Sequence, residues 1–149
     1  MKKKIFFVLY NLGFLLVGVV IGGYLGFQVV GKPHYNMRVL LAVATHAEYS
    51  YFQYLHSEYE PAKSALQEHI KLLEEIRELP SGYWKTPYNY LDSAYSYIRL
   101  SKLERERGNF KEADRMRDIA IEKCMQSGSQ KCSQKELEEY ASKLDERYK

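Results

Sequence analysis

The sequence is short of the features that usually announce chemistry. It has two cysteines, four prolines and one tryptophan in 149 residues. The cysteines, Cys124 and Cys132, lack CxxC spacing and have no histidine near them, so they do not form a zinc site. There is no HExxH, no serine nucleophile elbow, and no glycine-rich phosphate loop outside the opening apolar stretch. Catalysis, a resident metal and a cofactor are therefore not expected. No segment alternates with period two, so a sheet is not expected either.

Charge is missing from particular places. Residues 5–30 carry none, and no acid precedes Glu48. The chain holds 22 Lys+Arg and 19 Asp+Glu. Three of the bases are Lys2, Lys3 and Lys4, so the remainder balances at 22 − 3 = 19 against 19. A net-neutral body excludes a nucleic-acid binder, which needs clustered base. The 46% hydrophobic and 28% charged content excludes a disordered chain.

Residues 5–30 read as a transmembrane anchor. At about 1.5 Å per residue they reach roughly 39 Å, enough to cross a hydrocarbon core of about 30 Å. The run is far longer than a signal-peptide core, and Ala42-Val43-Ala44, the nearest small-x-small tripeptide, lies well past it. Lys2–Lys4 favour a cytoplasmic N-terminus, which puts the following domain outside. The absence of Asn-x-Ser/Thr and the MKKK start are compatible with a bacterial inner membrane and a periplasmic domain. Gly18, Gly22 and Gly26 recur every four residues, with Asn11 on nearly the same face. Such a ridge packs membrane helices and allows a homodimer; the alternative is the ordinary glycine content of membrane helices. The expected organisation is an anchor over 1–31, a linker over 32–36 broken at Pro33, and an all-α extracytoplasmic domain over 37–149.

Five helices are expected in that domain. The first runs from Asn36 to about Glu60, with Met37, Leu40, Leu41, Ala44, Tyr51 and Leu55 inward. The second starts at Pro61 and carries the stripe Ala62, Ala65, Leu66, His69, Ile70, Leu73, Ile76. The third is capped at Thr86-Pro87 and stops at Gly108, with Tyr88, Leu91, Ala94, Tyr95 and Ile98 inward. The fourth, about 109–127, turns Ala113, Met116, Ala120 and Cys124 inward. The fifth opens on a Ser133–Glu136 capping box, with Leu137, Tyr140, Ala141, Leu144 and Tyr148 as its stripe.

Tyr59-Glu60-Pro61-Ala62 and Phe110-Lys111-Glu112-Ala113 form a weak repeat at a spacing of 51. The second copy, Gly108 to Ala113 followed by Ala120, resembles the turn and second helix of a tetratricopeptide repeat over about residues 94–127. It departs from that motif at Glu104 and Arg117, and no specific family is identified. The resemblance implies helical hairpins with a concave face lined by Tyr51, Tyr54, Tyr95, Lys102 and Arg105, on which such repeats bind peptides or partner proteins. A generic helical bundle is the alternative.

Cys124 and Cys132 flank the turn between the last two helices. In an oxidising compartment a disulfide would pin those helices together; otherwise they are two buried thiols. His56 and Glu60 share the i, i+4 spacing of a metal or acid–base pair but have no third partner. His69 sits on an apolar stripe and reads as a hydrogen-bonded core histidine. The Glu104–Arg107 run reads as a solvated face.

Tyrosine is abundant, with 14 copies, nine of them clustered at 49–59 and around Trp84 to Tyr97. Tyr95 and Tyr97 point about 200° apart on a helix, so one face cannot bury them all. Exposed tyrosines suit a protein interface, a core rim or the membrane boundary. The function expected is a membrane-anchored adaptor that binds another protein at the membrane or in the periplasm. An anchored immunity or inhibitor protein and a small-ligand or metal sensor are the alternatives.

Overall fold

The computed structural model describes residues 19–24, 26, 32–79 and 86–148. Asn11, Gly18 and most of the proposed span lie outside them, as do Pro80–Lys85 with Tyr83 and Trp84. Among the described residues the secondary structure is entirely helical. None of these helices is long and apolar enough to cross a membrane. Residues 19–24 are helical, with Val19, Val20, Ile21 and Tyr24 exposed. A Cβ added at Gly22 or Gly26 would meet nothing within 4 Å.

The helices are α1 (Lys32–His56), α2 (Tyr59–Arg77), α3 (Pro87–Glu106), α4 (Phe110–Gln126) and α5 (Gln134–Asp145), ending in a 3₁₀ turn over Glu146–Tyr148. The chain divides into two units, Met1–Ala42 and Val43–Lys149. The core is built in the second.

Two boundaries differ from expectation, both because of proline. The 32–36 segment is the first turn of α1 and not a linker. Pro33 starts that helix because a first-turn residue needs no N–H. The break expected after Glu60 falls at Ser57–Glu58. Pro61 could not donate to Ser57, so the chain breaks upstream and Pro61 falls in the first turn of α2. Ala62 N–H then closes that turn on Glu58 at 3.1 Å.

The other punctuation follows the sequence. Thr86 occupies the N-cap position of α3 without a side-chain capping hydrogen bond among the described residues, and Pro87 follows in the first turn. Gly108 and Gly128 take φ of +80° and +78° after α3 and α4, a conformation that favours glycine. Ser133 and Glu136 form the reciprocal capping box of α5.

Every residue of the predicted α2 stripe is buried. The same holds for Ala113, Met116, Ala120 and Cys124 of α4. One cluster joins Tyr51, Ala62, Leu66, Ile70, Leu100, Leu103 and Met116. A second joins Ala94, Ile98, Ala120, the two cysteines, Leu137 and Ala141. α3 packs against α2, α4 and α5. Its Ser93, Ala94 and Ser96 are fully buried, small enough to let neighbouring backbones approach.

Several expected inward residues face out. Met37, Leu40 and Leu41 are exposed, because α1 enters the core only from Ala47 on. Tyr88 and Tyr140 are exposed as well. Leu66→Ala, at a site with no exposure, should cost about 2–5 kcal/mol in equilibrium denaturation. Leu41→Ala should stay within about 0.5 kcal/mol of the parent.

Candidate interaction groove

The polar interior of the domain is organised by α3. Asp92, Tyr95 and Arg99 stand three and four residues apart, so they share one face. Asp92 accepts from the Tyr51 hydroxyl of α1 and lies 3.0 Å from His69 Nε2 of α2. Burial alone would raise the Asp92 carboxyl. The hydrogen bonds and charge of His69, with Tyr51 and Arg99, hold it below its ordinary value. Burial, reinforced by the Asp92 charge, pushes the Tyr51 hydroxyl far above its usual range.

Arg99 is 1% exposed. Its Nε and Nη2 donate to Asp145 Oδ1 of α5 at 2.9 and 2.6 Å. Its guanidinium lies 3.9 Å from the Tyr51 ring centroid and 5.8 Å from that of Tyr54. Burial, then the Asp145 charge, pushes Tyr54 up to about 12. One face of α3 therefore ties α1, α2 and α5 together through polar groups.

A second polar centre lies at the other end of α3. Glu104 accepts from Tyr59 at 2.7 Å and Asn109 at 2.8 Å, and pairs with Lys63 Nζ at 2.7 Å. Its burial acts against ionisation. Lys63, Tyr59 and Asn109 outweigh that and hold it at about 2. Glu104 is thus a buried anchor and not part of a solvated run.

At the edge of this face, where Tyr95 stands, α3, α5 and the turn before α5 leave a groove of about 480 Å³. Leu91 and Leu137 give it apolar walls. Tyr95 and Tyr140 stack in it, 5.4 Å between centroids and 11° from parallel. Lys131, Lys143, Glu136 and Glu139 rim it, and Ser129 closes one end. Burial, followed by the Tyr140 and Asp92 charges, pushes Tyr95 up to about 12. Its lining sets two leucines and two tyrosines among four charged side chains and a serine.

The five residues assigned to a partner surface do not stay together. Tyr51 is a core residue, 6% exposed, and Tyr54 is half-buried against Arg99. Lys102 is exposed. Arg105 is exposed and pairs with Asp114 of α4 at 3.0 Å. Tyr95 alone of the five lines the groove, beside Tyr140, which the sequence had placed inward. Sequence reasoning missed Asp92, Arg99 and Asp145 altogether. His69 is a fully buried, hydrogen-bonded histidine, as its stripe position implied. His56 ends α1 with its ring 4.7 Å from that of Phe52. Among the described residues no three His, Cys, Asp or Glu could hold a metal ion. Cys124 and Cys132 form a disulfide, Cα–Cα 5.6 Å, in the second core cluster.

Asp145→Ala leaves Arg99 buried without its counter-ion and should destabilise the domain by about 3–5 kcal/mol in urea. An Arg99→Met, Asp145→Leu double variant should recover most of that loss. Because the Glu104 carboxyl is lowered from 4.5 to about 2, its contribution is complete above pH 4.5 and is lost as pH falls towards 2. Thermal midpoints measured from pH 6 to 2 should show a steeper acid decline in the parent than in Glu104→Gln.

No family model, no curated protein and no solved structure matches this chain.

Proposed function

We propose that the protein is a membrane-tethered, non-catalytic docking module. Residues 5–30 stay in the inner membrane as a single span with the N-terminus in the cytoplasm. The domain that follows stands in the periplasm and holds another protein beside the bilayer. The uncharged 26-residue run and the basic start support the tether. The disulfide suits an oxidising compartment. Tethering raises the effective concentration of whatever the domain binds.

The α3–α4 pair supports a tetratricopeptide-like hairpin. Its turn glycine has positive φ, and Ala113 and Ala120 are wholly buried at the contact. The observation that carries the docking reading is the Tyr95–Tyr140 stack. It is a large aromatic surface, set in a groove with a charged rim, and Tyr140 is 55% exposed. Rigid aromatics in such a setting are the usual anchors of protein recognition.

Tyr140→Ala in the full-length, detergent-extracted protein tests this reading. A co-purifying partner should be lost by about tenfold or more, with the thermal midpoint unchanged. Equal recovery with both proteins would contradict docking at the groove. Alkaline carbonate should leave the chain in the membrane pellet, and its release would contradict the tether.

A further inference from the structure

The groove is not carried by one continuous element. Leu91 and Tyr95 come from α3, whereas every other lining residue follows Cys124 in the chain. Ser129 and Lys131 lie inside the turn that the disulfide closes, and Tyr140 lies on α5. A helix of 12 residues does not keep its place by propensity alone. α5 is held by Cys132 at its entry, by Leu137 and Ala141 in the second core cluster, and by Asp145 on Arg99. The last of these is a buried ion pair whose attraction is largely offset by desolvation. Two apolar side chains, one an alanine, bury little area. Among these the disulfide is the covalent restraint on α5. Its effect is also local. It joins residues eight apart and so constrains little of the unfolded chain. The first core cluster contains no residue of α5.

We propose that the Cys124–Cys132 disulfide is a redox latch on the groove. Oxidised, it holds α5 against α3 and the groove exists. Reduced, α5 detaches, Tyr140 leaves Tyr95, Asp145 leaves Arg99 to be hydrated by the water that enters, and the groove is dismantled while the core of α1–α4 stays folded. The reductant is a dithiol. Cys124 is fully buried and Cys132 is 7% exposed, so exchange follows opening of the turn, where Gly128, Gln130, Lys131 and Ser133 are exposed. One thiolate of the reductant attacks the Cys132 sulfur. The Cys124–Cys132 bond breaks, and Cys124 leaves as a thiolate and takes a proton. The second thiolate of the reductant attacks the mixed disulfide and expels Cys132, which is protonated in turn. Two electrons and two protons reach the protein, and the reductant ends as its own disulfide. The groove's use as a docking site rests on the reading above, whereas the latch is measured without any partner.

The test is hydrogen exchange by mass spectrometry on the full-length protein in detergent, oxidised and after dithiothreitol, with complete reduction verified by thiol alkylation. Exchange in residues 134–145 should rise by about tenfold or more, while α3 and α4 change by less than about twofold. The Cys124→Ser, Cys132→Ser variant should exchange like the reduced protein with or without dithiothreitol. Unchanged protection of 134–145 after full reduction would overturn the latch. Equal loss of protection in α3 and α4 would overturn it too, since the disulfide would then be a staple for the whole domain.

Discussion

The domain depends on one buried cation. Removing a guanidinium from water costs several kcal/mol unless its surroundings replace the lost hydration. Arg99 meets most of that demand with the Asp145 carboxylate of α5 and the Tyr51 and Tyr54 rings of α1, while its buried Nη1 has no hydrogen-bond partner among the described residues. Each partner comes from a helix that must be in place for the charge to be tolerated. The arrangement acts as a specificity device: α1, α3 and α5 have few alternative positions that leave Arg99 satisfied. Asp92 extends it to α2 through His69. The same helix face then turns Tyr95 outward to the groove, so the docking surface and the charge that organises the fold are built on the same few turns of α3.

The rest of α3 explains why its polar groups are so deeply placed. It touches α2, α4 and α5, so residues all around it are buried, from Ser93 and Ala94 to Leu103 and Glu104. A helix surrounded in this way has no wide solvated face to carry its charges. Glu104 is accommodated by Lys63, Tyr59 and Asn109, as Arg99, five residues earlier, is by Asp145 and Tyr51. α5 is the peripheral member. It adds the outer wall of the groove and reaches the core through two apolar residues, one carboxylate and the disulfide.

Local patterns were legible in the sequence and distant pairings were not. The α2 stripe, the Thr86-Pro87 start, the Gly108 stop and the Ser133–Glu136 box are each written within a few residues, and each is found where the pattern puts it. The cysteine pair was readable from its position across one turn. His69 pairs with a residue 23 positions away and Arg99 with one 46 away. Such pairings leave no periodic trace, and a buried Arg or Glu has the same letter as a solvated one. For that reason Tyr51, expected both inward and on the partner face, is in the core, and Tyr140, expected inward, is exposed. The buried tyrosine is the one with a carboxylate in reach, and the exposed one stacks on a ring instead of entering the core. The 5–30 stretch, clear in hydropathy, lies mostly outside the described residues, so its reading rests on physical length and charge.

The most direct measurement is site-specific photocrosslinking from position 140 of the full-length protein in its native membrane, with exposed Glu122 of α4 as the comparison site. Docking at the α3–α5 groove predicts a discrete protein adduct from position 140 and none of that mass from position 122. No adduct from position 140, or the same adducts from both positions, would contradict it.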